Sequence, residues 1–137
     1  MNKKNKKRSD CPISCSLDIW GDKWSLLIIR NLMFHNINTY GEFLKAPEKI
    51  ATNILADRLV SLEKSGLISK REHPESRAKI FYHLTPMGID LLPVMMEISI
   101  WAEKYFEISA MSREMISQVK KNKKNLIKSL TMPGTEA

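Results

Sequence analysis

Residues 52–84 constrain the fold of this chain more than any other stretch. In TNILADRLVSLEKS (52–65), Leu55, Leu59 and Leu62 recur on one helical face, and Gly66 follows where helices commonly stop. Directly behind it, Leu67 to His73 and Lys79 to Leu84 read as two antiparallel strands. Pro74-Glu75-Ser76 turns between them. An amphipathic helix that runs straight into a hairpin needs other helices to cover its leucine face.

The preceding residues supply them. Pro12 suits the first position of a helix, with Ile13, Leu17 and Trp20 on one face and Gly21 at its end. Asp22 is a good N-cap for a second helix. One side of that helix is Trp24, Leu27, Ile28, Asn31 and Leu32, and the other is Leu26, Ile29 and Met33. A helix apolar nearly all round is buried on both sides. Asn36-Ile37-Asn38 is a loop, Thr39 caps a short helix from Tyr40 to about Leu44, and Pro47 breaks it. After the hairpin, Thr85 caps and Pro86 opens a long helix to about Glu107, with a kink expected at Pro93. Leu91, Met95, Ile98, Trp101 and Tyr105 line one side of it. A last helix, about 112–130, has a weaker apolar stripe and a strongly basic opposite side.

Three compact helices, the last stopped by glycine and followed by a two-stranded hairpin, make a winged helix-turn-helix. The fold class expected is mainly α with a two-stranded β wing and long C-terminal dimerisation helices, because a long apolar stripe outside the compact unit needs a partner chain. The divisions expected are a disordered basic arm (1–10), a winged core (11–85), dimerisation helices (86–130) and a disordered tail (131–137).

Charge is placed unevenly. The chain of 137 residues carries a net +7, concentrated in Lys3, Lys4, Lys6, Lys7 and Arg8 at one end and Arg113, Lys120, Lys121, Lys123, Lys124 and Lys128 at the other. Such a distribution draws a polyanion to the ends. The longest apolar run, Leu26 to Ile29, is too short to span a bilayer, and no signal-peptide core follows the basic start, so no membrane role and a cytoplasmic location are expected.

Against this background the sequence resembles the HxlR-type winged-helix transcription regulators, relatives of the MarR group. Carrying the resemblance are Cys11-Pro12, Leu17, Gly21-x-Lys23-Trp24 with Leu27-Ile28 behind, and Phe43-Leu44. So do Leu55-x-x-Arg58-Leu59-x-x-Leu62-Glu63-x-x-Gly66-Leu67, Tyr82-x-Leu84-Thr85-x-x-Gly88, and Leu92-Pro93. Together they cover residues 11–107. The resemblance implies a homodimeric DNA-binding regulator that reads an inverted repeat, and some members of the family sense oxidants or electrophiles through the cysteine matching Cys11. Two departures stand out. Ala51 occupies the usual serine position at the start of the recognition helix, so that Thr52 is a candidate cap one residue on. The wing, Pro74-Glu75-Ser76-Arg77-Ala78-Lys79, is closer to the MarR pattern.

The base-reading face must lie opposite the leucine stripe. Thr52, Asn53 and Ala56 at the N-terminal end are the candidate base readers, with Asp57 beside them. Arg58 is either a phosphate contact or a structural ion pair to Glu63 or Glu42. Lys45 and Lys49 suit backbone contacts, Arg77 and Lys79 the minor groove, and Lys23 a phosphate or a partner's acid. The candidate dimer face is Ile13, Leu17, Leu91, Met95, Ile98, Trp101 and Tyr105.

Cys11 and Cys15 are the redox-sensing candidates. A helix N-terminus and adjacent lysines favour the Cys11 thiolate, the form that oxidants attack. A bond from Cys11 to Cys11 or Cys15 of another chain is easier than one within a single helix. Packing remains the alternative for both thiols. With two cysteines and scattered His35, His73 and His83, no metal set is recognisable. No catalytic constellation or cofactor motif appears, and no enzyme is expected. Competing readings are an architectural DNA binder driven by the basic ends and a winged helix used for protein contacts. A small-molecule effector is a further candidate partner, in a pocket that Met87, Met95, Met96, Trp101 and Tyr105 could line.

Overall fold

The computed structural model describes residues 8–73 and 75–121, and for 73, 76–78 and 119 it describes the backbone alone. The arm at 1–7, Pro74, the Arg77 side chain, the end of the basic helix and the tail at 131–137 lie outside the described residues. The order of elements is α1 (Pro12–Trp20), α2 (Ser25–Phe34), α3 (Tyr40–Leu44), α4 (Thr52–Lys64), β1 (Ile68–His73), β2 (Ser76–Leu84), α5 (Pro86–Ile89), α6 (Leu92–Tyr105) and α7 (Ala110–Lys121). It is a winged helix-turn-helix, mainly α with one antiparallel hairpin.

α2 is the hub, and none of its residues is exposed. Its Ile28, Ile29 and Met33 join Phe43 of α3, Leu55, Leu59 and Leu62 of α4, Leu67, Ile68 and Leu84 of the hairpin, and Leu92 and Met96 of α6 in one core. Asp22 caps α2 from outside the helix: its carboxylate accepts from the Trp24 and Ser25 N–H groups at 3.0 Å each. Thr39 and Glu42 form a capping box that fixes α3.

Gly66 ends the α4 segment with φ +88°, a conformation that side chains disfavour. The chain turns there into β1. Register runs from Ile68↔Leu84 to Glu72↔Ile80 and then slips to pair His73 with Ser76. A bridge between Thr39 and Phe81, with Tyr82 N–H donating to Asn38 O at 2.8 Å, ties β2 to the start of α3. The Thr85 hydroxyl donates to Gly66 O at 2.5 Å and accepts from Gly88 N–H at 3.2 Å, closing the hairpin's base. Gly88 is required by close approach, since a Cβ there would lie 2.2 Å from Leu67 O.

The long helix expected over 86–107 is two helices. α5 stops at Ile89, Asp90 and Leu91 turn, and Pro93 sits in the first turn of α6, which ends at Tyr105. Proline has no N–H to bond back to Ile89, and its ring crowds that carbonyl, so the ladder breaks instead of bending. A first-turn position needs no such bond. α7 folds back on α6, burying Ile116, and Glu103 pairs with Lys120 at 3.2 Å and Arg113 at 3.8 Å.

Candidate nucleic-acid interface

The leucine stripe of α4 faces the core, so its opposite side meets solvent. Thr52, Asn53, Ala56, Asp57, Val60 and Lys64 are all exposed. The cap position is Ala51, in extended conformation, and no side chain caps the first-turn N–H groups. Thr52 is therefore the first helical residue and not the cap. The Tyr40 hydroxyl donates to Thr52 O at 2.8 Å and fixes the start of α4 against α3. Lys45 and Lys49 are exposed on the connection leading into α4, and Lys49 has φ +54°. Lys79 is exposed on β2.

Arg58 is an ion-pair residue, but its partners are not Glu63 or Glu42. Its guanidinium meets Asp57 at 2.7 Å and Asp22 at 3.3 Å, tying α4 to the turn before α2. Glu63 pairs instead with Lys70 at 3.7 Å, and Glu42 completes the capping box. Burial opposes the charge on Asp22, but the Ser25 hydroxyl, the Trp24 and Ser25 N–H groups and Arg58 outweigh it. They hold its carboxyl below the ordinary carboxylate range. The Lys23 ammonium lies 5.0 Å from the Trp24 ring centre, a cation–π contact within its own chain.

A second arrangement went unread in the sequence. Arg30 grips Glu48 with two hydrogen bonds of 2.8 and 2.9 Å and also holds the buried Asn31 side chain. Its hydrogen bonds, against some burial, lower the Glu48 pKa. This clamps the loop before α4 to α2, and a pair 18 residues apart leaves no local pattern to find it by.

Cys11 is exposed at the N-cap of α1, where its N–H bonds the Ser9 hydroxyl at 3.2 Å. Cys15 is half-buried and its thiol donates to Ser9 O at 3.3 Å. Both are free thiols. Among the described residues no group of three or more His, Cys, Asp or Glu could hold a metal ion.

Of the residues expected at a dimer face, Ile13, Leu17, Ile98, Trp101 and Tyr105 are exposed. Leu91 and Met95 instead pack against the core of their own chain. Phe106, Met111 and Met115 extend the exposed apolar surface, and Trp101 meets Tyr105 at a tilt and Phe106 edge-to-face, with ring centres 5.4 and 5.8 Å apart. The pocket beside α6 also differs from expectation. Met95 and Met96 line it together with Ile98 and Ser99 of α6, and α2, His35 and α7 supply the other walls in place of Met87, Trp101 and Tyr105.

Comparison with known proteins agrees with this architecture. The model of the HxlR-like helix-turn-helix family matches residues 19–110. The HTH-type transcriptional regulator YdeP of Bacillus subtilis is 34% identical over 95 residues, covering 69% of this chain and 73% of YdeP. The crystal structure of PA1607, solved as a candidate transcription factor, is similar with a TM-score of 0.67 and 38% identity over 76% of this chain and 71% of that one. The redox regulator HypR in its oxidised form is similar with a TM-score of 0.63 and 25% identity over 72% of this chain and 100% of HypR. With two thirds of its length matched by the family model and the hairpin, glycines and α4 stripe in place, the chain belongs to the HxlR-like helix-turn-helix family.

Proposed function

We propose that this protein is a sequence-specific DNA-binding transcriptional regulator and not an enzyme, acting as a homodimer on an inverted-repeat operator. The observation that carries the reading is the exposed face of α4, with Asn53 and Ala56 one turn apart near an uncapped N-terminus and Lys45 and Lys49 beside it. The N-terminal half of α4 enters the major groove. Asn53 pairs with an adenine, the Ala56 methyl meets a thymine methyl, and Thr52 contacts the flanking base or phosphate. Lys45, Lys49 and Lys23 contact phosphates, and Arg77 and Lys79 carry the wing to the minor groove. Arg58 and Asp57, bonded to each other, set the orientation of α4. Two copies join through Ile13 and Leu17 of α1 and Ile98, Trp101 and Tyr105 of α6.

A thiol switch belongs to the same reading. Cys11 is exposed on an element that also carries Ile13 and Leu17, and HypR, a similar protein, is a redox regulator. A disulfide from Cys11 to the partner chain would move α1 and change the spacing of the two α4 helices.

Fluorescence anisotropy at physiological salt tests both parts. DNA from upstream of the protein's own gene is compared with scrambled DNA, before and after a thiol oxidant. Specific binding that oxidation abolishes in the wild type but not in Cys11→Ser supports the whole account. Specific binding indifferent to oxidant removes the switch and keeps the regulator. Equal, steeply salt-dependent binding to both DNAs points to an architectural binder.

A further inference from the structure

Lys49, in the turn between α3 and α4, is held in an unusual backbone conformation. Its φ is +54°. That left-handed region suits glycine and asparagine and is unfavourable for a lysine. Among the described residues the other non-glycine residue with positive φ is an asparagine, Asn36. Such outliers persist where their surroundings over-determine them, and they cluster at functional sites. Here the surroundings are visible. Ala46 and Ile50 are buried on either side, and the Lys49 N–H donates to Ala46 O at 3.0 Å. Between them Glu48 accepts two hydrogen bonds from Arg30 of α2. Arg30 is itself fixed, because Nε and Nη2 also donate to the buried Asn31 at 3.1 and 2.9 Å. The turn is thus anchored to the hub of the fold, and the Lys49 side chain stands exposed two residues before the Ala51 cap of α4.

We propose that Glu48 is a positioning residue for DNA: drawn back onto Arg30, it holds the left-handed turn that presents Lys49 to one phosphate beside the groove that α4 enters. The inference rests on the regulator reading and deepens it, since it gives an acidic residue a favourable part in binding a polyanion. By charge alone, a carboxylate next to a phosphate-contacting lysine weakens binding. Bonded twice to Arg30, this carboxylate is partly neutralised and keeps the lysine in one place. One phosphate neutralised gives a salt slope of about −0.9, which amounts to about fourfold in affinity at ~0.2 M salt relative to 1 M. That fourfold is what the turn has to secure.

The test reads anisotropy of the full chain on the upstream duplex and on scrambled DNA, between about 50 and 200 mM salt. Lys49→Gly keeps the left-handed backbone and removes the ammonium. On heating it should unfold no earlier than the wild type. It should bind both duplexes about fourfold more weakly at ~0.2 M salt, with a salt slope shallower by about 0.9. Glu48→Ala removes a negative charge, so charge alone would tighten binding. Positioning requires the opposite sign, with binding about two- to fourfold weaker. Glu48→Gln has the same charge as Glu48→Ala but keeps an acceptor for Arg30, and should recover part of the loss. In the Lys49→Gly background Glu48→Ala should cause no further loss, because the contact it positions is already gone. Tighter binding by Glu48→Ala would overturn the proposal. So would an unchanged salt slope in Lys49→Gly, or an equal loss from Glu48→Ala in both backgrounds. A wild type that binds neither duplex would sink the regulator reading and this inference with it. One that binds while the variants behave otherwise would sink this inference alone.

Discussion

At the scale of single residues, Asn53 and His83 make the sharpest contrast. Asn53 is exposed and free to read a base, so Asn53→Ala should cost about 1–3 kcal/mol, roughly five- to 150-fold in affinity, on the specific site. Binding to scrambled DNA should not change, as anisotropy on both duplexes would show. His83 is the opposite case. Its ring is half-buried, yet both nitrogens are sealed from solvent without a hydrogen-bond partner. Burial first, then the charge of Arg71, pushes its pKa below the ordinary 6.5. The folded state thus resists a proton that the unfolded chain accepts. Stability is complete above about pH 6.5 and falls as the pH drops below it toward the folded value. Urea midpoints at pH 7.5 and 5.5 should differ less in His83→Phe than in the wild type; equal differences would contradict the assignment. Glu48, Asp22 and Glu42, with lowered pKa values, act in a separate and more acid window, where their stabilisation is lost as pH falls through those values. Residue pairing was the least legible level. For Arg58 an ion pair was one of two open readings, with Glu63 or Glu42 as partner, and Asp22, 36 residues away, could not be found.

At the scale of elements the sequence spoke more clearly, because caps and breakers act locally. Thr39, Gly66 and Thr85 mark boundaries where the structure has them. Pro93 marks a discontinuity, and its lost N–H and ring clash allow either a kink or a break; the structure has the break, with Asp90 and Leu91 between the two helices. The uncapped start of α4 has a consequence. Ala51→Ser should add a side-chain acceptor for the first turn and raise stability by about 1 kcal/mol in urea unfolding. If the bare N–H groups serve a phosphate, the same change should weaken DNA binding. Gain of stability with unchanged DNA affinity would mean that the N-terminus does not touch the backbone.

At the scale of the molecule, periodicity revealed that α6 has an apolar face but not what covers it. Leu91 and Met95 turn to the core, while Ile98, Trp101 and Tyr105 stay exposed, because α6 crosses the winged unit at one end and leaves it at the other. If the exposed end is the dimer seam, Trp101→Ala should weaken association by about 2 kcal/mol, roughly 30-fold in the dissociation constant by sedimentation equilibrium. An unchanged constant would place the seam elsewhere. The central claim is that paired α4 helices choose a sequence, and the most direct measurement is selection from a random duplex library with the reduced full-length protein. The account predicts enrichment of an inverted repeat, bound at least about 10³-fold more tightly than random duplex and lost by Asn53→Ala. A library that emerges unenriched, with binding set by salt alone, would contradict it.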